Sequence, residues 1–174
     1  MPSDPLILRG RQGLILVEAA VVDTARRFLR PPEGRLEAGG ILLGVYRGDH
    51  LDVVDGTAPL PGDRRTPVRF DRRDAGHGLT ARAAWRRSDR VITCVGEWHT
   101  HTAGSASPSG LDLRTWRRIL AQRGGRPHLF LIASPRELRF YEGRGEALRE
   151  IDPMDGDEQG PTASAILSLD TNGG

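Results

Sequence analysis

The sequence predicts an α/β protein, a mixed central β-sheet flanked by helices. Three observations lead there. Short apolar or β-branched runs alternate with amphipathic helical segments along the chain. One run, VITCVG at 91–96, is apolar nearly throughout, as a central strand covered on both faces would be. The length, 174 residues, suits one domain, and 28% charged against 37% hydrophobic residues is an ordinary folded balance.

Taken in order, 14–17 is a short apolar strand. Residues 18–30 place Val21, Val22, Ala25, Phe28 and Leu29 on one helical face, and Pro31-Pro32 stops the helix. The runs 39–46 (GGILLGVY) and 51–55 form a hairpin around Gly48-Asp49. Residues 59–73, rich in Pro, Gly, Asp and Arg, are expected to be loop, and 79–87 a helix. After the strand at 91–96 comes a small polar loop at 104–109. An amphipathic helix at 111–123 follows, burying Leu113, Trp116, Ile119 and Leu120. Two further strands, 128–134 and 138–141, flank a Ser-Pro-Arg turn. The expected division is a domain over 1–152 and a flexible acidic tail over 153–174, the latter without periodicity.

Composition excludes several classes. One cysteine, Cys94, allows neither an internal disulfide nor a CxxC site, and it reads as a buried small hydrophobe. No run of 18 apolar residues predicts a membrane span, and the first residues do not resemble a signal peptide, so a cytoplasmic location is expected. All 25 basic residues are arginine. Codon usage explains this, and freedom from lysine-directed modification is the second reading. Residues 61–90 hold nine arginines against four aspartates, a local excess that reads as a solvated basic face.

The chemistry sits in 96–112, GEWHTHTAGSASPSGLD. His99 and His101 lie two apart at a strand end, so both imidazoles leave on one face. Asp112 opens the helix after a loop able to bring its carboxylate back. Two His and one carboxylate form a three-ligand set that leaves a fourth position open, as catalytic zinc sites do. Asp112 also fits a second role, since Ser109-Gly110-Leu111-Asp112 matches the S-x-x-[DE] capping box. Trp98 and Thr100 point the opposite way, into sheet packing. His50, His77 and His128 have no ligand-like spacing. Gly39 and Gly40 suit close backbone approach.

H-x-H, seven residues, Ser, two residues and Asp is the JAMM signature. With Glu37 opening EAGGILLG upstream, the chain resembles the JAB/MPN zinc metalloproteases, bacterial Prok-JAB branch, over about 14–141. It is most like the stand-alone deconjugating proteases of CBASS-type anti-phage operons. The resemblance implies a JAB/MPN-like, cytidine-deaminase-like architecture. It implies one zinc ion with a bound water, held by His99, His101 and Asp112, with Glu37 as general acid/base and Ser109 as oxyanion donor. It further implies hydrolysis of the isopeptide or peptide bond after the C-terminal glycines of a ubiquitin-like protein, in deconjugation or precursor processing. E1- and E2-like operon proteins would be partners; membrane and nucleic acid would not. Glu97 shares the parity of His99 and is the alternative base. Two other readings remain. A RadC-like, DNA-associated protein shares a similar H-x-H…S-x-x-D segment, although EAGGILLG points away from it. A non-catalytic MPN scaffold usually lacks motif ligands, and none is missing here.

Overall fold

The described residues, 4–154, form ten strands and three α-helices. In order these are β1 (Leu6–Arg9), β2 (Leu14–Val17), α1 (Ala19–Arg27), β3 (Gly39–Arg47), β4 (His50–Gly56), β5 (Arg64–Thr66), β6 (Arg69–Asp71), α2 (Gly76–Arg87), β7 (Thr93–Thr100), α3 (Gly110–Leu120), β8 (His128–Ala133), β9 (Leu138–Arg144) and β10 (Ala147–Ile151). The structure is a computed structural model. Eight strands form one mixed sheet in the order β1-β2-β4-β3-β7-β8-β9-β10. Two neighbouring pairs, β2–β4 and β7–β8, are parallel and the rest antiparallel. The fold class expected from the sequence is the one observed.

Val21, Val22, Ala25 and Phe28 of α1 are buried in one cluster with Leu8 of β1, Trp98 of β7, Phe140 of β9 and Ile151 of β10. Residues from both edges of the sheet therefore meet the same helix, and the sheet curls around it. The edges also touch directly. Leu8 bridges Pro153, Met154 N donates to Ile7 O at 2.8 Å, and Arg11 N donates to Glu142 Oε2 at 2.7 Å. Pro153 and Met154 thus lie beside β1, while the rest of the expected tail, with Gly173-Gly174, falls outside the described residues. A second cluster joins Trp116 and Leu120 of α3 to Phe130, Ile132 and Tyr141. Trp116 stacks on Phe130 with ring centroids 4.4 Å apart.

Several local expectations change. The strand expected at 91–96 runs instead from Thr93 to Thr100, because antiparallel pairing with β3 carries it through Gly39↔His99. Val91 is exposed outside it. Cys94 is half-buried, with its sulfur and carbonyl facing Arg123. The supposed loop at 59–73 contains the hairpin β5–β6, whose register pairs Arg65 with Phe70. Three-residue strands are too short for a period-two pattern to show. Strands β1 and β10 were also hidden, four and five residues long among Pro, Arg and Glu.

Candidate metal centre

Strand β7 sets the orientation of the site. Trp98 points into the α1 core, where its Nε1 donates to Thr57 O at 2.9 Å and its ring lies 5.7 Å from Phe28. Alternation then turns Glu97 and His99 to the other face. Thr100 is buried and fastens the strand end to the segment carrying Glu37: Thr100 N donates to Ala38 O at 2.7 Å, and Ala38 N donates to Thr100 Oγ1 at 2.9 Å. His101 lies just beyond the strand, its N–H donating to Ala133 O at 2.8 Å.

Asp112 arrives from α3. Ser109 is the N-cap: Asp112 N donates to Ser109 Oγ at 3.2 Å, and Ser109 N donates to Asp112 Oδ2 at 2.6 Å. The capping box forms, and it aims the carboxylate at the histidines rather than diverting it. His99 Nε2 is 3.4 Å from Asp112 Oδ1, His101 Nε2 is 3.7 Å from Asp112 Oδ2, and the two Nε2 atoms are 3.2 Å apart. One side chain thus both closes the capping box and faces the two histidines.

These distances fit a metal ion. A tetrahedral site with arms of about 2.0–2.1 Å has edges of about 3.3–3.4 Å; the Nε2–Nε2 separation of 3.2 Å and the His99–Oδ1 separation of 3.4 Å lie close to that, and His101–Oδ2 is longer at 3.7 Å. Among the described residues, His99, His101 and Asp112 form the group whose ligand atoms all fall within 4.8 Å of one another. The supporting contacts agree. His101 Nδ1 donates to Ser105 O at 3.0 Å, which leaves Nε2 directed at the centre. Burial alone would raise the Asp112 carboxyl, but hydrogen bonds from His101 and His99 outweigh it and hold the group far below the ordinary carboxylate range. The hydrogen bond to Asp112 raises His101, against its own burial.

Glu37 lies outside this cluster but lines the same cleft, of about 470 Å³, as the histidines, Ser109 and Asp112. Its carboxyl is buried, and burial raises its pKa; the two histidines and the Phe70 backbone amide oppose the rise. Gly39 and Gly40 make this close approach possible. A Cβ on Gly39 would stand 2.5 Å from the Phe70 ring, and one on Gly40 would stand 2.0 Å from Thr57 O. Glu97 also reaches the cleft wall, where it is ion-paired to Arg72. The Ser109 hydroxyl accepts from Asp112 N and lines the same cleft.

Sequence reasoning missed the wall built by β5 and β6. Pro67, Val68, Phe70 and Arg72 all line the cleft. The hairpin is fixed from below by a buried relay. Thr57 Oγ1 and His77 Nδ1 are 2.6 Å apart, and His77 Nε2 lies 2.8 Å from Asp63 Oδ2. Asp63 accepts backbone N–H bonds from Leu60, Arg73 and Asp74. Much of the arginine excess at 61–90 is also used internally, since Arg65, Arg69, Arg72 and Arg73 are all in ion pairs. The signals available were His77 within an apolar-poor stretch and the Thr-Pro-Val turn, neither of which specifies a site.

A family model described as prokaryotic homologs of the JAB domain matches residues 19–143. A Pseudomonas aeruginosa protein named CD-NTase/cGAS isopeptidase is 37% identical over 120 residues, covering 68% of this chain and 76% of that protein. A Vibrio cholerae protein of the same name is 42% identical over 110 residues, covering 63% of this chain and 68% of that one. The solution structure of a Desulfitobacterium hafniense protein superposes with a TM-score of 0.50 at 25% identity, over 75% of this chain and 86% of the other. No helix among the described residues is long and apolar enough to cross a membrane. With the matched segment running from α1 into β9 and the ligand cluster inside it, the chain belongs to the prokaryotic JAB (Prok-JAB) family and is homologous to the CD-NTase/cGAS isopeptidases.

Proposed function

We propose that this protein is a zinc-dependent isopeptidase that hydrolyses the bond following the C-terminal glycines of a ubiquitin-like or otherwise conjugated bacterial protein. By likeness to its relatives, the conjugate is one involving a CD-NTase, in the cytoplasm and alongside E1- and E2-like enzymes. One observation carries the reading: three potential ligand atoms converge in a cleft that a buried carboxyl, Glu37, and the Ser109 hydroxyl also face.

His99, His101 and Asp112 would hold the ion, and two neutral imidazoles with one carboxylate suit zinc. A zinc ion bound there supplies positive charge that acidifies water and polarises a carbonyl. The chain's own residues do the rest. Glu37 takes a proton from the attacking water at a carboxylate oxygen and returns it to the departing amine. Its burial suits it to the first step, because a carboxylate whose pKa is raised accepts a proton more readily. The Ser109 hydroxyl donates to the carbonyl oxygen as negative charge develops. The ion pair between Glu97 and Arg72 at the cleft wall favours Glu37 over Glu97 as the base.

The test uses two fusion substrates, a ubiquitin-like protein and a CD-NTase, each joined through its C-terminus to a fluorescent protein. Cleavage at the junction that stops on adding chelator and returns with zinc supports the proposal. Cleavage of neither fusion, or cleavage unchanged by chelator, overturns it.

A further inference from the structure

Glu37 has no regular secondary structure of its own. It lies between the single helical turn Glu33–Arg35 and the start of β3, outside any helix or strand. A side chain placed there would normally sample several positions, yet both its neighbours are fixed. On the C-terminal side Thr100 ties Ala38 to the strand that carries the histidines. On the N-terminal side the whole anchor comes from the hairpin β5–β6. Glu37 N donates to Thr66 O at 2.8 Å. Arg65 Nε donates to Glu37 O at 2.9 Å, Nη1 to Glu33 Oε2 at 2.9 Å, and Nη2 to Glu33 O at 3.2 Å and Leu36 O at 3.3 Å. The same guanidinium lies over the Phe28 ring, 5.3 Å from its centroid.

One guanidinium therefore serves four acceptors spread over Glu33, Leu36 and Glu37 and is braced against α1 from behind. A planar fork with five donors can do this; an ammonium cannot span the same set in one plane. We propose that Arg65 is the positioning residue for Glu37, holding its peptide plane so that the carboxyl stays in register with the ligand cluster. Arg65 does not touch substrate. It is absent from the lining of the cleft, whereas its strand partner Phe70 is part of it. The inference deepens the hydrolase reading and rests on it for its kinetic consequence, though not for its structural one.

A misplacement of about 1 Å in a reacting group can cost on the order of 100-fold in rate. Arg65→Ala is therefore expected to lower kcat on the fusion substrate by about 10- to 100-fold. KM should stay within about threefold, because the cleft lining is untouched. Zinc content should remain one per chain. Hydrogen–deuterium exchange should rise in peptides covering 33–38 and stay unchanged in those covering β8. Arg65→Lys keeps the charge over Phe28 but loses the fork, and is expected to lie between wild type and Arg65→Ala in kcat; it carries the test if the alanine variant does not fold. Wild-type kcat in the variant, a loss confined to KM, or unchanged exchange over 33–38 would each overturn the proposal. Failure of the hydrolase reading looks different: the wild type would not cleave at all, while the exchange comparison would still decide whether Arg65 holds this segment.

Discussion

Glu37 and Glu97 open onto the same cleft, and their partners give them different work. Glu37 is buried with a raised pKa and no arginine on its carboxyl, whereas Glu97 is neutralised by Arg72. Glu37→Gln is expected to lower kcat by about 10²- to 10⁴-fold, the usual range for a general acid/base, with zinc retained. Glu97→Gln should leave kcat within a few-fold of wild type; the reverse pattern in steady-state kinetics would reassign the base. Ser109 caps α3 and is the proposed oxyanion donor, so Ser109→Ala should lower kcat by about 10²- to 10³-fold and cost about 1 kcal/mol of stability through the lost cap. His128 makes a prediction of another kind. It is fully buried, neither ring nitrogen has a hydrogen-bond partner, and burial, aided by Arg123 and Arg72, lowers its pKa to about 3. The unfolded chain then takes up this proton first, near pH 6.5, and the folded protein only near 3. Stability is therefore lost as pH falls through that window, by about 1.4 kcal/mol per pH unit for this group. Denaturant unfolding from pH 7 to 4.5 should show a shallower decline in His128→Leu than in wild type, and parallel declines would refute the assignment.

At the level of elements, the site depends on how closely β3, β7 and the turn at Thr57 approach. Gly40→Ala would drive a methyl group to 2.0 Å from Thr57 O, a backbone atom that cannot swing aside. Overpacking of this sort typically costs about 1–3 kcal/mol, and calorimetry should show at least that, with cleavage reduced as well. Much of this was legible beforehand. His99, His101, Ser109 and Asp112 stand at fixed offsets within one strand–loop–helix unit, so local geometry alone nearly determines where they point. The long apolar patterns of α1, α3, β3 and β8 likewise announce themselves. The hairpin β5–β6 does not, because its strands are three residues each. Its position is dictated by His77 and Arg65, whose side-chain partners lie 14 to 32 residues away. Contacts of that span leave no periodic trace in a sequence, and so the anchor of the proposed base stayed hidden while the base itself did not.

Across the molecule, the curled sheet divides the labour between its two faces. One wraps α1 and supplies the main apolar core; the other carries Glu97, His99 and the α3 cluster, with the cleft bounded by α3 and the hairpin. The candidate ligands come from β7, the residue just beyond it and α3, the proposed base from the segment before β3, and the wall from the β5–β6 hairpin, so the candidate site exists only when the sheet is assembled. Metal binding should in turn stabilise the fold by mass action, at about 2.7 kcal/mol for free zinc at 100 times its Kd. A thermal melt with and without chelator should therefore differ in wild type and coincide in Asp112→Ala. Cleavage of the CD-NTase fusion by wild type, chelator-treated wild type and Glu37→Gln decides whether the protein is a metal-dependent hydrolase. Wild type should cut after the C-terminal residue, chelated wild type should do so only once zinc is restored, and Glu37→Gln should not cut; equal cleavage in all three, or none in any, would refute the proposed reaction.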